Sequence, residues 1–98
     1  MSSAELSFLA ELESIVRKRI DGRSVESYTA RLVAGGTKRL AQKVGEEAVE
    51  LALASVSGDR DEIVEESADL LYHLTVLLAA ADVPLAAVVA ALERRHHG

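Results

Sequence analysis

The segment from Lys43 to His73 reads KVGEEAVELALASVSGDRDEIVEESADLLYH, and the reading of this chain turns on it. Each half carries carboxylates three residues apart, Glu47 with Glu50 and Glu66 with Asp69. Ser57-Gly58 closes one helix and Asp59 opens the next, with Asp59 and Glu62 at capping-box spacing. The expected structure is two helices, from Thr37 as cap to about Val56 and from Arg60 to about Ala81, folded into an antiparallel hairpin. In that arrangement four carboxylates face one place.

On a helical wheel of about 100° per residue, Glu47 lies about 20–40° from Leu40 and Leu51 and about 40–60° from Lys43 and Glu50. It therefore stands at the edge of the apolar stripe, while Glu46 points about 100° away, toward solvent. Glu66, Asp69 and His73 repeat the pattern beside Leu70 and Leu77, with Glu65 turned outward. Carboxylates beside leucines are costly unless neutralised. A cluster of oxygen ligands without cysteine points to Mg²⁺, with Mn²⁺ as a substitute, rather than zinc. The competing reading is a solvated acidic face, since Glu-x-x-Glu is common on helix surfaces. Lys43 has two readings as well, an i,i+4 partner of Glu47 or a contact to substrate phosphate. Lys38 and Arg39, in the first turn, are either phosphate contacts or solvated cations. His73 is either a core histidine with satisfied hydrogen bonds or a contact near the site.

Outward from the hairpin, Ser2 and Glu5 have capping-box spacing, and Leu6, Leu9, Leu12, Ile15 and Val16 predict an amphipathic helix over 3–19. Asp21-Gly22-Arg23 is the expected break. Ser24 is the expected cap of a short helix over 25–34, ended by Gly35-Gly36. Pro84 opens a fifth helix to about Arg94, with 95–98 as a loose tail. The apolar run from Leu70 to Leu92 approaches the roughly 20 residues that span a bilayer. His73, Asp82 and Pro84 interrupt it, so it reads as two helices of a chain with no membrane segment. Glu93-x-x-His96 has the spacing of a di-iron ligand pair but occurs once and lacks its mate.

Composition agrees with an all-α chain. The 98 residues suit one domain over 1–98, 49% hydrophobic but only 3% aromatic, with one proline. Ala, Leu and Val dominate such a composition and favour packed helices. A chain this short buries a limited core, so a four-helix-bundle-like arrangement completed by oligomerisation is expected. The absence of cysteine excludes disulfides and thiolate chemistry. With no basic segment leading into an apolar run at the N-terminus, it fits a cytoplasmic protein. Net charge is −5, and residues 1–45 hold 8 Lys and Arg against 5 Asp and Glu, whereas 46–98 hold 3 against 11. That balance argues against nucleic acid as a partner. An acidic face meeting an anionic substrate needs an intervening cation.

These residues resemble a known family. Glu46-Glu47-x-x-Glu50, a spacer and Glu66-x-x-Asp69 are similar to the motif of the all-α nucleotide pyrophosphohydrolases, related to MazG and the dimeric dUTPases. Ser27-Tyr28-Thr29, the run Gln42 to Glu50 and the run Ala68 to Leu74 resemble, more narrowly, the phosphoribosyl-ATP pyrophosphohydrolases. The resemblance implies Mg²⁺-dependent hydrolysis of phosphoribosyl-ATP to phosphoribosyl-AMP and pyrophosphate, the second step of histidine biosynthesis, by a stand-alone domain. It implies Glu47, Glu50, Glu66 and Asp69 as metal ligands. One of these, or Glu46, is left to orient the water. It further implies supporting roles for Tyr28 and His73 and a homodimer or higher homo-oligomer, while Lys38, Arg39 and Lys43 are the candidate phosphate contacts by their position on the helix. The alternatives are a house-cleaning pyrophosphohydrolase of non-standard nucleotides and a non-enzymatic helical dimerisation module.

Overall fold

The computed structural model describes residues 2–97. Within them the chain is all helix: α1 Ser3–Gly22, α2 Tyr28–Ala34, α3 Thr37–Ser57, α4 Arg60–Ala80 and α5 Leu85–His97. The first capping box forms as expected, with Ser2 Oγ accepting from the Glu5 amide and the Glu5 carboxylate accepting from the Ser2 amide. Asp59 caps α4 through the amides of Asp61 and Glu62.

Several boundaries move, each for a local reason. Asp21 and Gly22 remain in α1, and the stop comes one residue later, where Arg23 turns left-handed at φ 52° and its amide bonds to the Ile20 carbonyl. Ser27, not Ser24, caps α2 by accepting from the Ala30 amide, while Ser24 accepts from Glu26 in the connecting turn. Thr37 is the first residue of α3 rather than its cap. Gly36 takes that position at φ 96°, a conformation open to glycine, and supplies no side-chain cap. α4 ends in a Schellman arrangement: the Val83 amide bonds to the Leu78 carbonyl, the Asp82 amide to Ala79, and Asp82 is left-handed at φ 56°. Finally, 95–97 continue α5 instead of forming a loose tail.

α3 and α4 pack against each other along their length as the expected hairpin, α1 lies on α4, and α2 bridges α1 to α3 and α4. The core is small. Val16 from α1, Leu32 from α2, Leu40 from α3 and Val76 from α4 close on one another, flanked by Leu12, Ile20, Val33, Tyr72, Leu77 and Ala79. α5 leaves at 110° to α4 and buries no residue. Its start is nonetheless tied to α1, since Glu13 Oε2 accepts from the Leu85 amide at 2.6 Å and Arg17 pairs with Asp82 at 3.3 Å. A bundle built from one chain is thus three long helices with α2 across them. No single helix among the described residues is long and apolar enough to cross a membrane.

Candidate active site

The hairpin brings Glu47 of α3 together with Glu66 and Asp69 of α4. One carboxylate oxygen from each lies within 4.8 Å of the others. Glu47 is buried, only 4% exposed, Glu66 is half-buried and Asp69 opens to solvent. Glu46 and Glu65 face outward, as the wheel places them. Glu50 is exposed and stands outside the triad, yet its carboxylate adjoins that of Glu66.

Two oxygens of this group are orphans. Glu47 Oε2 and Glu66 Oε2 are buried with no hydrogen-bond partner. Buried carboxylate oxygens require a donor or a cation, because desolvating them otherwise costs several kcal/mol. The other oxygen of Glu47 meets Lys43 Nζ at 3.2 Å, so the i,i+4 pair does form. That hydrogen bond, opposed by desolvation and helped by Glu46 and Tyr28 nearby, raises the Lys43 ammonium above its ordinary 10.5. Burial first, and then Glu50, Asp69 and Glu47 around it, raises the Glu66 carboxyl above its ordinary 4.5. One lysine therefore serves a cluster that still holds surplus negative charge.

Donor chemistry and spacing fit a hard divalent cation. Three carboxylate oxygens within 4.8 Å of one another are near enough to converge on one such ion. Glu47, Glu66 and Asp69 are the carboxylates placed to hold such an ion, and Glu50 adjoins Glu66 among them.

His73 is buried one turn beyond Asp69 and is fully satisfied. Its Nδ1 lies 2.8 Å from the Asp69 carbonyl, an acceptor, so this nitrogen carries the proton. Nε2 then accepts from the Tyr28 hydroxyl at 2.9 Å. Tyr28 in turn lies stacked near Tyr72, whose hydroxyl bonds to the buried Thr29. The histidine thus links α2 to the helix that carries Asp69.

The cations expected at the site divide. Arg39, Lys43 and Glu47 succeed one another at i,i+4 along one face of α3. Arg39 lines a groove of about 270 Å³ with Tyr28, Arg31 and Leu32. Lys38 is exposed and does not line that groove. Arg31 was not singled out in the sequence. The available signal was its position three residues after Tyr28, which sets both on one face of α2.

The phosphoribosyl-ATP pyrophosphohydrolase family model matches residues 9–96. A phosphoribosyl-ATP pyrophosphatase of Methylobacterium nodulans is 55% identical over 87 residues, covering 89% of this chain and 81% of that protein. One from Pyrobaculum islandicum is 52% identical over 87 residues, covering 93% of that protein. The histidine biosynthesis bifunctional protein HisIE of Campylobacter jejuni is 49% identical over 94 residues, which span 96% of this chain and 45% of the longer relative.

Proposed function

Since this chain belongs to the phosphoribosyl-ATP pyrophosphohydrolase family, we propose that it hydrolyses phosphoribosyl-ATP to phosphoribosyl-AMP and pyrophosphate, the second step of histidine biosynthesis. The observation that carries the chemistry is the acidic triad with its two orphaned buried oxygens beside a line of cations on α3. Glu47, Glu66 and Asp69, joined by Glu50, hold Mg²⁺, with Mn²⁺ as a substitute. When bound, the ion neutralises the cluster and polarises the phosphoryl oxygens of an otherwise repelled polyanion.

The protein's own groups supply the remainder. Lys43 and Arg39 receive phosphate oxygens, Lys43 sharing its ammonium between Glu47 and the substrate, and Lys38 adds positive charge at the start of α3. Water attacks the α-phosphorus, the bond from that phosphorus to the bridging oxygen breaks, and pyrophosphate leaves. One of the four carboxylates Glu47, Glu50, Glu66 and Asp69, or Glu46 on α3, orients the attacking water and takes its proton. His73 and Tyr28 fix the backbone at Asp69 and the wall of the groove. The small core and the exposed Val49, Leu53, Val56, Val64 and Leu71 of the hairpin support a homodimer or higher homo-oligomer, working in the cytoplasm on a small nucleotide.

The test is pyrophosphate release from phosphoribosyl-ATP with and without Mg²⁺, beside ATP, dCTP and dUTP. Metal-dependent release from phosphoribosyl-ATP alone is expected. Release from the simple nucleotides instead moves the protein to the house-cleaning branch, and release from none leaves a helical interaction module.

A further inference from the structure

A second cavity, of about 320 Å³, opens between the end of α1, the turn after it and α2. Its floor is apolar, made by Ile20, Val25, Ala30 and Val33, yet two guanidiniums line it, Arg23 and Arg31. Neither is paired with a carboxylate among the described residues, and Arg31 is held in place by donating to the Val25 carbonyl at 2.6 Å. Arg31 also lines the groove that contains Tyr28 and Arg39. Tyr28 in turn bonds to His73 and lies close enough to Lys43 to act on its charge. The acidic cluster, Lys43, the groove and this cavity are therefore consecutive neighbours, with Arg31 as the wall between the last two.

Phosphoribosyl-ATP has two anionic ends. One is the triphosphate that is cut. The other is the phosphate carried by the second ribose on the purine; that ribose and phosphate together distinguish this substrate's far end from that of an ordinary nucleotide, and the phosphate is its charged part. Selecting for it requires cations removed from the metal cluster, next to a surface that accepts a flat apolar ring. We propose that the cavity between α1 and α2 receives the phosphoribosyl end of the substrate, with its phosphate on Arg23 and Arg31. This inference rests on the proposed function. An arginine is suited to the task because its planar fork takes two phosphate oxygens at once. At about 320 Å³ the cavity is at the lower end of the range for small-molecule sites, which suits part of a nucleotide rather than a whole one.

Arg23 is the cleaner probe, because unlike Arg31 it does not also line the groove with Tyr28 and Arg39. Its φ of 52° also suits glycine, so Arg23→Gly removes the guanidinium without straining the end of α1. The experiment compares kcat/KM for phosphoribosyl-ATP and for ribosyl-ATP, which lacks only the far phosphate, in wild type, Arg23→Gly and Arg23→Lys. Melting temperature serves as the folding control. Binding of phosphoribosyl-AMP against AMP, measured by calorimetry, serves as a readout independent of turnover.

Charge-assisted hydrogen bonds of this kind correspond to about tenfold to hundredfold. The expected result is that loss on phosphoribosyl-ATP in Arg23→Gly, little change on ribosyl-ATP, and partial recovery in Arg23→Lys. Equal losses on both substrates, or a wild type that treats the two alike, overturn the inference and leave the reaction assignment standing. A wild type that turns over neither substrate overturns the functional reading, and this inference with it.

Discussion

Two kinds of buried polar atom occur on the α3–α4 hairpin, and they are treated in opposite ways. His73 has both ring nitrogens occupied, one by the Asp69 carbonyl and one by the Tyr28 hydroxyl. Glu47 and Glu66 each keep a buried oxygen with no partner. A polar group whose hydrogen bonds are complete adds to the specification of a fold. One left incomplete is destabilising until something arrives to complete it. The difference separates a histidine whose hydrogen bonding is complete from two carboxylates proposed to take a cation, although all three lie on the same helical hairpin.

The sharpest way to break this contrast is to remove one side of it. Glu47→Gln is expected to reduce metal-dependent pyrophosphate release by on the order of 10²–10³. Stability should change by less than about 1 kcal/mol, because the lost pair with Lys43 is partly exposed and relief of repulsion offsets it. Wild-type turnover in this variant sinks the metal-site assignment. His73→Ala should do the reverse and lower stability by about 2–3 kcal/mol in denaturant melts, through a cavity and an unpaired Tyr28 hydroxyl. If His73→Ala melts like wild type, the histidine is not an organising residue.

Metal binding sharpens the same contrast. At tenfold its Kd, Mg²⁺ should stabilise the protein by about 1.4 kcal/mol, several degrees in Tm, and the shift should vanish in Glu66→Ala. Proton linkage gives this a pH signature. The folded pKa of Glu66 is raised above its ordinary 4.5, so its contribution to stability is full below that value and is lost as pH rises through the folded value. The metal-free protein should therefore soften as pH rises above about 4.5. Mg²⁺ should reverse the softening, and Glu66→Gln should flatten it, in melts recorded across that window. A Mg²⁺ effect that is flat with pH denies that proton and metal compete for this carboxylate. The smallest expected effect is that of Tyr28→Phe, about 1 kcal/mol, because His73 Nε2 then loses its only donor. Its Mg²⁺ titration should stay as in wild type, which distinguishes a wall of the site from a ligand.

The acidic face could be read directly from the sequence. A three-residue spacing on a helix and the neighbouring leucines already separate Glu47 from Glu46 and Glu66 from Glu65, because helical geometry is local and periodic. The hairpin was equally readable, since Gly58 and Asp59 are a local stop and a local cap. The chain's family also lies in these runs, Gln42 to Glu50 and Ala68 to Leu74, and the comparisons bear it out. Boundaries were less readable where a distant or subtle bond decides them. α1 outlasts Asp21-Gly22 because Arg23 takes the left-handed cap, and α5 starts where a carboxylate of α1 meets its first amide.

By itself, then, the sequence determined the helices, their polar and apolar faces and the carboxylates eligible to meet, because each depends on residues a turn or less apart. Only the tertiary structure decided which of those carboxylates converge, that Glu50 stands beside the triad rather than in it, and that Lys43 is already engaged with Glu47. It also decided that Tyr28 reaches His73 across 45 residues and that Arg23 and Arg31 share an apolar cavity. These depend on how α1, α2 and α4 pack around Val16, Leu32, Leu40 and Val76, and packing between helices follows no period that a linear pattern records.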